Sequence, residues 1–229
     1  MQNVEKATEL ARSLVSVANG AGCRTSALLT DMNQSLASSA GNALEVKSAL
    51  TVLKNESGEE RLLEVTLALG SNLLVNAGIF SDEDTARESL EESLSSGKAA
   101  EIFGRMITAL GGPIDFVEKS DEYLPVAENI LDFLSPSSGY LKSVNGRILG
   151  QAVIELGGGR KQADDKLDLS VGLDQFFRIG EKVQQGNPIL RIHASNDWDM
   201  ERAKNLLLEA FQFSENPVES NPLILESIT

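Results

Sequence analysis

The sequence predicts a helix-rich α/β part followed by a smaller α+β part. Over residues 1–110, apolar side chains recur mostly at the spacing of amphipathic helices. After residue 139, short apolar runs alternate with glycine-containing turns, which is typical of β-structure. The pattern changes at Ser135–Gly139, where serine, proline and glycine favour a boundary. We therefore predict one domain over residues 1–134 and a second over residues 135–229.

The first part is predicted to contain several helices and one clear strand. Helical spacing predicts helices over Val4–Ala18, Gly41–Leu53, Glu60–Ala77, Ser81–Leu94 and Lys98–Leu110. Asn42 and Ser81 are the predicted N-caps of the second and the fourth of these helices. The strand is the apolar run Thr25–Thr30, which we expect to be buried. Asp31 and Asn33 follow its carboxyl end, where open α/β sheets collect ligands.

The second part is predicted to be mostly β-structure. Glycine-rich turns separate three β-like runs, Arg147–Leu156, Leu167–Val171 and Ile189–His193. A closing helix is predicted over Asp199–Phe213. The last stretch, Glu215–Thr229, contains two prolines and is predicted to be extended.

Composition excludes several classes of partner and site. The net charge of −14 repels nucleic acid and anionic lipid, so we expect neither as a partner, and any phosphate site must be local. Cys23 is the one cysteine, which excludes an intrachain disulfide. Residues 1–10 carry charges unlike those of a signal peptide, and no apolar run approaches the ~20 residues of a membrane span. We therefore expect a cytoplasmic protein.

Two motifs invite a functional interpretation that their context disfavours. Gly157–Lys161 reads GGGRK, as a phosphate-binding loop could, but no GK[ST] follows and the flanks are β-like, so we predict a hairpin or a bulge. His193 is the one histidine and lacks the partners of a metal site or a catalytic triad, so we predict a structural imidazole. Charge runs on helices and turns are usually solvated, so we assign no metal to the acidic clusters Asp82–Asp84, Glu91–Glu92 and Asp164–Asp165.

A repeated spacing of glycine and branched residues lies in the second part. Gly180, Val183, Gly186, Ile189 and Ile192 follow one another at intervals of three. The pattern resembles half of the motif of biotinyl- and lipoyl-type barrel-sandwich domains. The carrier lysine of those domains has no counterpart here, so we predict a barrel-sandwich-like fold without the carrier function. A biotin or lipoyl carrier is kept as an alternative that intact mass would reveal.

A family resemblance covers essentially the whole chain. The runs T-S-A-L-L-T-D-M-N-Q (25–34) and G-N-A-L-E-V (41–46) closely resemble the pyrimidine nucleoside phosphorylase family. The form L-A-S-S-A-G-N (36–42) resembles its bacterial thymidine phosphorylase branch rather than its broad-specificity branch. Residues 97–106, 112–118 and 157–172 fit the same branch. The resemblance implies part of a phosphorylase α/β domain, followed by the α+β C-terminal domain of that family.

The resemblance also implies a reaction and a set of partners. Inorganic phosphate would attack thymidine and release thymine and 2-deoxyribose 1-phosphate, with no cofactor, in an enzyme whose full-length form is a homodimer. The family's phosphate loop and its Arg, Ser and Lys contacts to the base fall upstream of Met1, so we assign no catalytic residue. Met1 aligns with a methionine that lines the pyrimidine pocket, and is the one predicted substrate contact. We expect the chain to be the C-terminal portion of the enzyme and inactive alone.

Two questions stay open at the level of sequence. Some relatives bind a cation through carbonyl groups at the positions of Leu36 and Ser39 and a Glu carboxylate at the position of Ser48. A serine hydroxyl is a neutral ligand, so we assign no metal here. The alternative to an enzyme portion is a non-catalytic remnant or structural module of the same family.

Overall fold

The computed structural model describes residues 3–229. Within them the helices are α1 (Val4–Gly20), α2 (Asn42–Leu53), α3 (Glu60–Asn76), α4 (Glu83–Ser95), α5 (Lys98–Ala109), α6 (Ser120–Tyr123), α7 (Gly146–Glu155) and α8 (Asp197–Leu207). The strands are β1 (Ala27–Thr30), β2 (Asn129–Leu134), β3 (Gly139–Val144), β4 (Gly172–Asp174), β5 (Lys182–Val183), β6 (Pro188–Ala194), β7 (Phe211–Ser214) and β8 (Ile224–Ile228). The structure therefore mixes helices with small sheets.

The strands form antiparallel sheets in the orders β1-β8, β2-β6-β4 and β5-β3-β7. Internal contacts divide the chain into two compact units. Unit 1 contains the described residues up to 31, residues 60–99 and residues 221–229. Unit 2 contains residues 32–59 and 100–220. The two units are defined by internal contacts, whereas the boundary predicted at Ser135 divides the sequence into two consecutive domains. The units do not test that boundary, which stays a prediction.

Unit 1 packs helices against the small sheet β1-β8. Val15 of α1, Leu29 of β1 and Ile228 of β8 form its buried cluster. Helix α3 packs against α4, where Arg87 forms an ion pair with Glu64 at 2.6 Å. The hydrogen bond from Arg87, opposed by partial burial, lowers the pKa of the Glu64 carboxyl group.

Unit 2 contains the largest core of the described chain. Its two three-stranded sheets and helices α7 and α8 bury aliphatic side chains, of which Leu141, Ile192 and Leu207 are fully enclosed. A second cluster in unit 2 joins α2 to the segment after α5 through Leu50 and Phe116. Buried aliphatic area of this kind is the main stabilising contribution to folding.

The five predicted helices of the first part are confirmed, and the two predicted N-caps are each shifted by one residue. Gly41, not Asn42, is the N-cap of α2, and the Asn42 amide instead donates to the Gly158 carbonyl at 3.1 Å. Asp82, not Ser81, is the N-cap of α4, because its carboxylate accepts from the Thr85 N–H at 2.9 Å. Asp is as good an N-cap as Ser, so the two neighbours compete for one position.

The prediction of a β-like run at Arg147–Leu156 is wrong, because these residues form helix α7. Its Ile and Val residues suggested a strand, but Asn145 caps the helix by accepting from the N–H groups of the first turn. Leu149 and Ala152 are buried at helical spacing, followed by Leu156. Burial of that stripe outweighs the weak helix propensity of the glycines.

Two other element predictions of the second part need correction. Leu167–Val171 is irregular, and the strand follows it as β4, three residues long. The helix predicted over Asp199–Phe213 ends at Leu207, and strand β7 follows it. In β7, Phe211 is buried and Gln212 exposed, which is the alternation of a half-buried strand.

The predicted strand before Asp31 and the predicted extended C-terminus are confirmed as one pair. β1 is shorter than predicted, and only Leu29 of its four residues is buried. It pairs antiparallel with β8, in which Ile228 lies opposite Ala27.

Limited proteolysis checks the predicted boundary. Ser138 is exposed, whereas Ser135 is buried and its N–H donates to the Asn187 carbonyl at 2.8 Å. We expect subtilisin to cut near Ser135–Ser138 and to leave a resistant C-terminal core. Because β2 pairs with β6, the two pieces should still co-elute under native conditions. A C-terminal half that is degraded as fast as the rest of the chain would contradict the boundary.

Candidate functional site

The predicted substrate contact, Met1, lies outside the described residues. Its role stays a prediction, as does the absence of catalytic residues from this chain. The sites that the structure describes are therefore the segment after β1, the glycine run after α7 and the surroundings of the one histidine.

Asp31 is buried at the carboxyl end of β1. Its side chain is 1% exposed, and Oδ2 lies 3.3 Å from Nη2 of Arg61 at the start of α3. Oδ1 accepts from the Asn221 amide at 3.4 Å, and the Asp31 N–H donates to the Leu223 carbonyl at 2.8 Å. The carboxylate thus holds three stretches of unit 1 together. Asn33, the other polar residue predicted at this end, is exposed.

The segment after Asn33 belongs to unit 2 and contains a buried hydroxyl pair. Ser39 and Ser48 lie with their Oγ atoms 2.7 Å apart, so two of the three positions that the resemblance singled out do meet. Beside them, the buried carboxylate of Glu59 accepts hydrogen bonds from the N–H and the hydroxyl of Ser38. Leu36 is partly buried.

Residues 3–229 contain no group of three or more His, Cys, Asp or Glu side chains arranged to hold a metal ion. The hydroxyl of Ser48, hydrogen-bonded to that of Ser39, is a neutral group rather than a carboxylate. The expectation that no metal binds near Leu36 and Ser39 stays a prediction.

Gly157–Lys161 is neither the predicted hairpin nor the predicted bulge. It follows helix α7, and the N–H groups of Gly157 and Gly158 donate back to the carbonyls of Ile154 and Val153 at 3.0 and 2.9 Å. With Gly157 at φ +98°, this is a Schellman motif that ends the helix. The prediction assumed that β-structure flanks the run on both sides. It fails because the preceding residues form helix α7.

The cations of this run also have intramolecular partners. Nζ of Lys161 lies 2.7 Å from the Glu155 carboxylate, and Nε of Arg160 donates to the Asp165 carbonyl at 3.3 Å. Asp165 accepts from the N–H groups of Gln162 and Lys161, which lowers the pKa of its carboxyl group. The run also lies at the negative end of the α7 dipole, which disfavours an anion.

We expect inorganic phosphate not to bind at Gly157–Gly159. The N–H groups of Gly157 and Gly158 are bonded to α7, and the helix dipole opposes an anion at this end. Phosphate titration followed by NMR should leave the amide resonances of these glycines in place. Saturable shifts there that Arg160→Ala abolishes would contradict the expectation.

Two family models match the chain. Residues 1–100 match the a/b domain of a glycosyl transferase family, and residues 140–214 match the pyrimidine nucleoside phosphorylase C-terminal domain. The chain belongs to the pyrimidine nucleoside phosphorylase family. The resemblance inferred from the runs 25–34 and 41–46 is thereby confirmed, as is the α/β fold class followed by a C-terminal domain of this family. The matched domains are those of a glycosyltransferase that transfers a pentosyl group.

In the stretch matched by the C-terminal domain of this family, His193 is buried on the central strand β6. Its Nε2 lies 3.0 Å from Oδ2 of Asp174 on β4. Arg191 and Asp132 form an ion pair at 2.9 Å in the same sheet. The structural role predicted for His193 stays a prediction.

Sequence reasoning assigned no separate role to Asp168, which organises the loop before β4. Its carboxylate accepts from the N–H and hydroxyl of Ser170 and from the hydroxyl of Ser195. Burial opposes ionisation, but these hydrogen bonds outweigh it and lower the pKa of Asp168. The D-x-S spacing is a signal for such a turn, whereas the contact with Ser195 depends on the tertiary fold.

None of the helices within residues 3–229 combines the length and the apolar character that crossing a membrane requires.

Proposed function

We propose that the chain is the C-terminal portion of a thymidine phosphorylase, which converts thymidine and phosphate reversibly to thymine and 2-deoxyribose 1-phosphate. Membership in the pyrimidine nucleoside phosphorylase family supports the reaction class. The single observation that favours thymidine is the run Leu36–Asn42, L-A-S-S-A-G-N, which resembles the thymidine branch.

The chemistry requires groups that bind the attacking phosphate and groups that bind the departing base. A phosphate oxygen forms a bond to the anomeric carbon while the bond from that carbon to the base nitrogen breaks, and the base leaves with the electron pair. Positive charge develops on the sugar and negative charge on the base, so the enzyme needs a phosphate cradle and hydrogen-bond donors over the base. Phosphate is a co-substrate, and the reaction requires no cofactor.

The placement of these groups upstream of Met1 is part of the proposal. With a net charge of −14, the chain offers no general attraction for phosphate, so the cradle must be local. In the glycine run Gly157–Gly159, two N–H groups already donate to carbonyls of α7. This supports assigning the phosphate cradle to another part of the enzyme. We further propose a homodimer for the full-length enzyme and a cytoplasmic location, with neither nucleic acid nor membrane as a partner.

The DNA that precedes the Met1 codon tests this function. An in-frame continuation that encodes a glycine-rich phosphate loop would support the enzyme, and the extended protein should then phosphorolyse thymidine faster than uridine. Equal rates on the two nucleosides would contradict the choice of thymidine. An in-frame stop directly upstream would contradict the enzyme portion and favour a non-catalytic remnant.

A further inference from the structure

The segment that follows β1 is bonded along its length to the C-terminal domain. We call residues 34–43 the loop segment and residues 169–179 the clamp, and both lie in unit 2. Ala40 and Leu173 exchange both backbone hydrogen bonds at 2.8 Å, as neighbours in an antiparallel ladder do. On either side, the Ala43 N–H donates to the Leu169 carbonyl at 3.1 Å, and the Phe176 N–H donates to the Ser38 carbonyl at 3.3 Å.

Side chains continue the contact towards the start of the loop segment. Gln34 is buried, 8% exposed, and its Oε1 accepts from the Ile179 N–H at 3.2 Å. Arg178 donates from Nη1 to the Ser35 carbonyl at 2.9 Å. The second of these is charge-assisted, and such hydrogen bonds are roughly twice as strong as neutral ones.

The backbone of Arg178 is itself fixed. Its N–H donates to the Glu181 carboxylate at 2.7 Å, and its carbonyl accepts from the Glu181 N–H at 3.1 Å, which closes a tight turn. The guanidinium group therefore extends from a backbone that hydrogen bonds hold in place. If Ser35 moved, the clamp could not easily follow it.

We propose that Arg178 is a positioning residue through which the C-terminal domain fixes the loop segment. The loop segment lies in the stretch matched by the glycosyl transferase a/b domain, whereas the clamp lies in the stretch matched by the C-terminal domain. In this family member, the C-terminal domain thus serves to hold the loop segment, which belongs to the a/b domain, in one conformation. The proposal concerns the family fold and does not depend on thymidine as the substrate.

Hydrogen exchange of the 229-residue chain tests the proposal. The reporter amides are those of Ala40, Phe176 and Ile179, which are bonded between the loop segment and the clamp. The reference amides are those of the paired residues of β6. The variants are Arg178→Met, which keeps the stem and removes the donors, Arg178→Lys, which keeps a charged donor, and the control Arg147→Met at an exposed position in α7.

Arg178→Met should speed exchange of the reporter amides about tenfold and leave the reference amides unchanged, a difference that corresponds to about 1.4 kcal/mol. Arg178→Lys should stay within about threefold of the parent, because its ammonium group can still donate to the Ser35 carbonyl. Arg147→Met should change neither set. Reporter amides that Arg178→Met leaves within twofold of the parent would overturn the proposal. Equal acceleration of reporter and reference amides would also overturn it, since that result indicates a general loss of stability.

Discussion

The 229-residue chain alone should release no thymine from thymidine and phosphate. The resemblance places the family's phosphate cradle and its polar contacts to the base upstream of Met1, and we therefore expect no residue of this chain to supply them. The thioether of Met1, the one predicted contact, has no N–H or O–H donor to replace them. Positioning of reactants contributes about 7–11 kcal/mol to enzymatic rate enhancement. Removing one preorganised oxyanion donor costs about 2.7–4 kcal/mol. Loss of about 10 kcal/mol corresponds to roughly a 10⁷-fold lower rate.

The measurement is thymine release, followed by chromatography. The matched experiment adds the upstream half of a full-length relative, and activity should appear only in the mixture, not with either piece alone. Robust activity of the 229-residue chain by itself would show that the chemistry does not reside upstream of Met1.

Exposed apolar side chains require a control for self-association in that assay. In unit 1, Leu10 and Leu14 of α1 are 45% and 60% exposed and border a groove of about 430 Å³ between α1 and β1. Exposed apolar surface of this kind favours association of copies. The assay should therefore be run at several protein concentrations, with the oligomeric state measured by sedimentation.

The sequence predicted the elements whose periodicity is long and regular. Helix α3 extends over 17 residues, and its predicted bounds differ from the observed ones by one residue at the end. Helix α7 was predicted as β-structure because glycines and β-branched residues are locally ambiguous, and only the packed stripe that includes Leu149 and Ala152 resolves the ambiguity. Local propensity is a weak guide where tertiary burial decides.

The parts of the candidate site that depend on distant residues could not be predicted. Asp31 meets Asn221 across 190 positions, and Arg178 meets Ser35 across 143. No local pattern encodes such pairs. The absence of phosphate binding at Gly157–Gly159 is expected from the structure as well as from the sequence, but for a different reason, because a helix C-terminus replaces the predicted hairpin.

Gly41→Ala should destabilise unit 2 by about 3 kcal/mol, near the upper end of the range for overpacking a close contact. Gly41 has φ +135°, a conformation that residues with a side chain rarely adopt. A Cβ atom there would lie 2.5 Å from the Val171 carbonyl oxygen and 2.8 Å from Cα of Gly172. Both neighbours are backbone atoms that the Ala40–Leu173 pair holds in place, so the clash can be relieved only by separating the loop segment from the clamp.

The matched control is Gly150→Ala, in the interior of α7, where an added Cβ meets no atom within 4 Å. Alanine is favoured over glycine in a helix by about 0.5–1 kcal/mol, so this variant should be more stable than the parent. For a chain of this size, about 1 kcal/mol shifts Tm by roughly 2–4 °C. Calorimetry should therefore show a fall of roughly 6–12 °C in the unfolding transition of unit 2 for Gly41→Ala, and a small rise for Gly150→Ala. A rigid backbone contact at 2.5 Å cannot accept a methyl group without a loss of stability. Equal Tm values for Gly41→Ala and the parent would therefore show that Gly41 is not packed tightly against Val171 and Gly172.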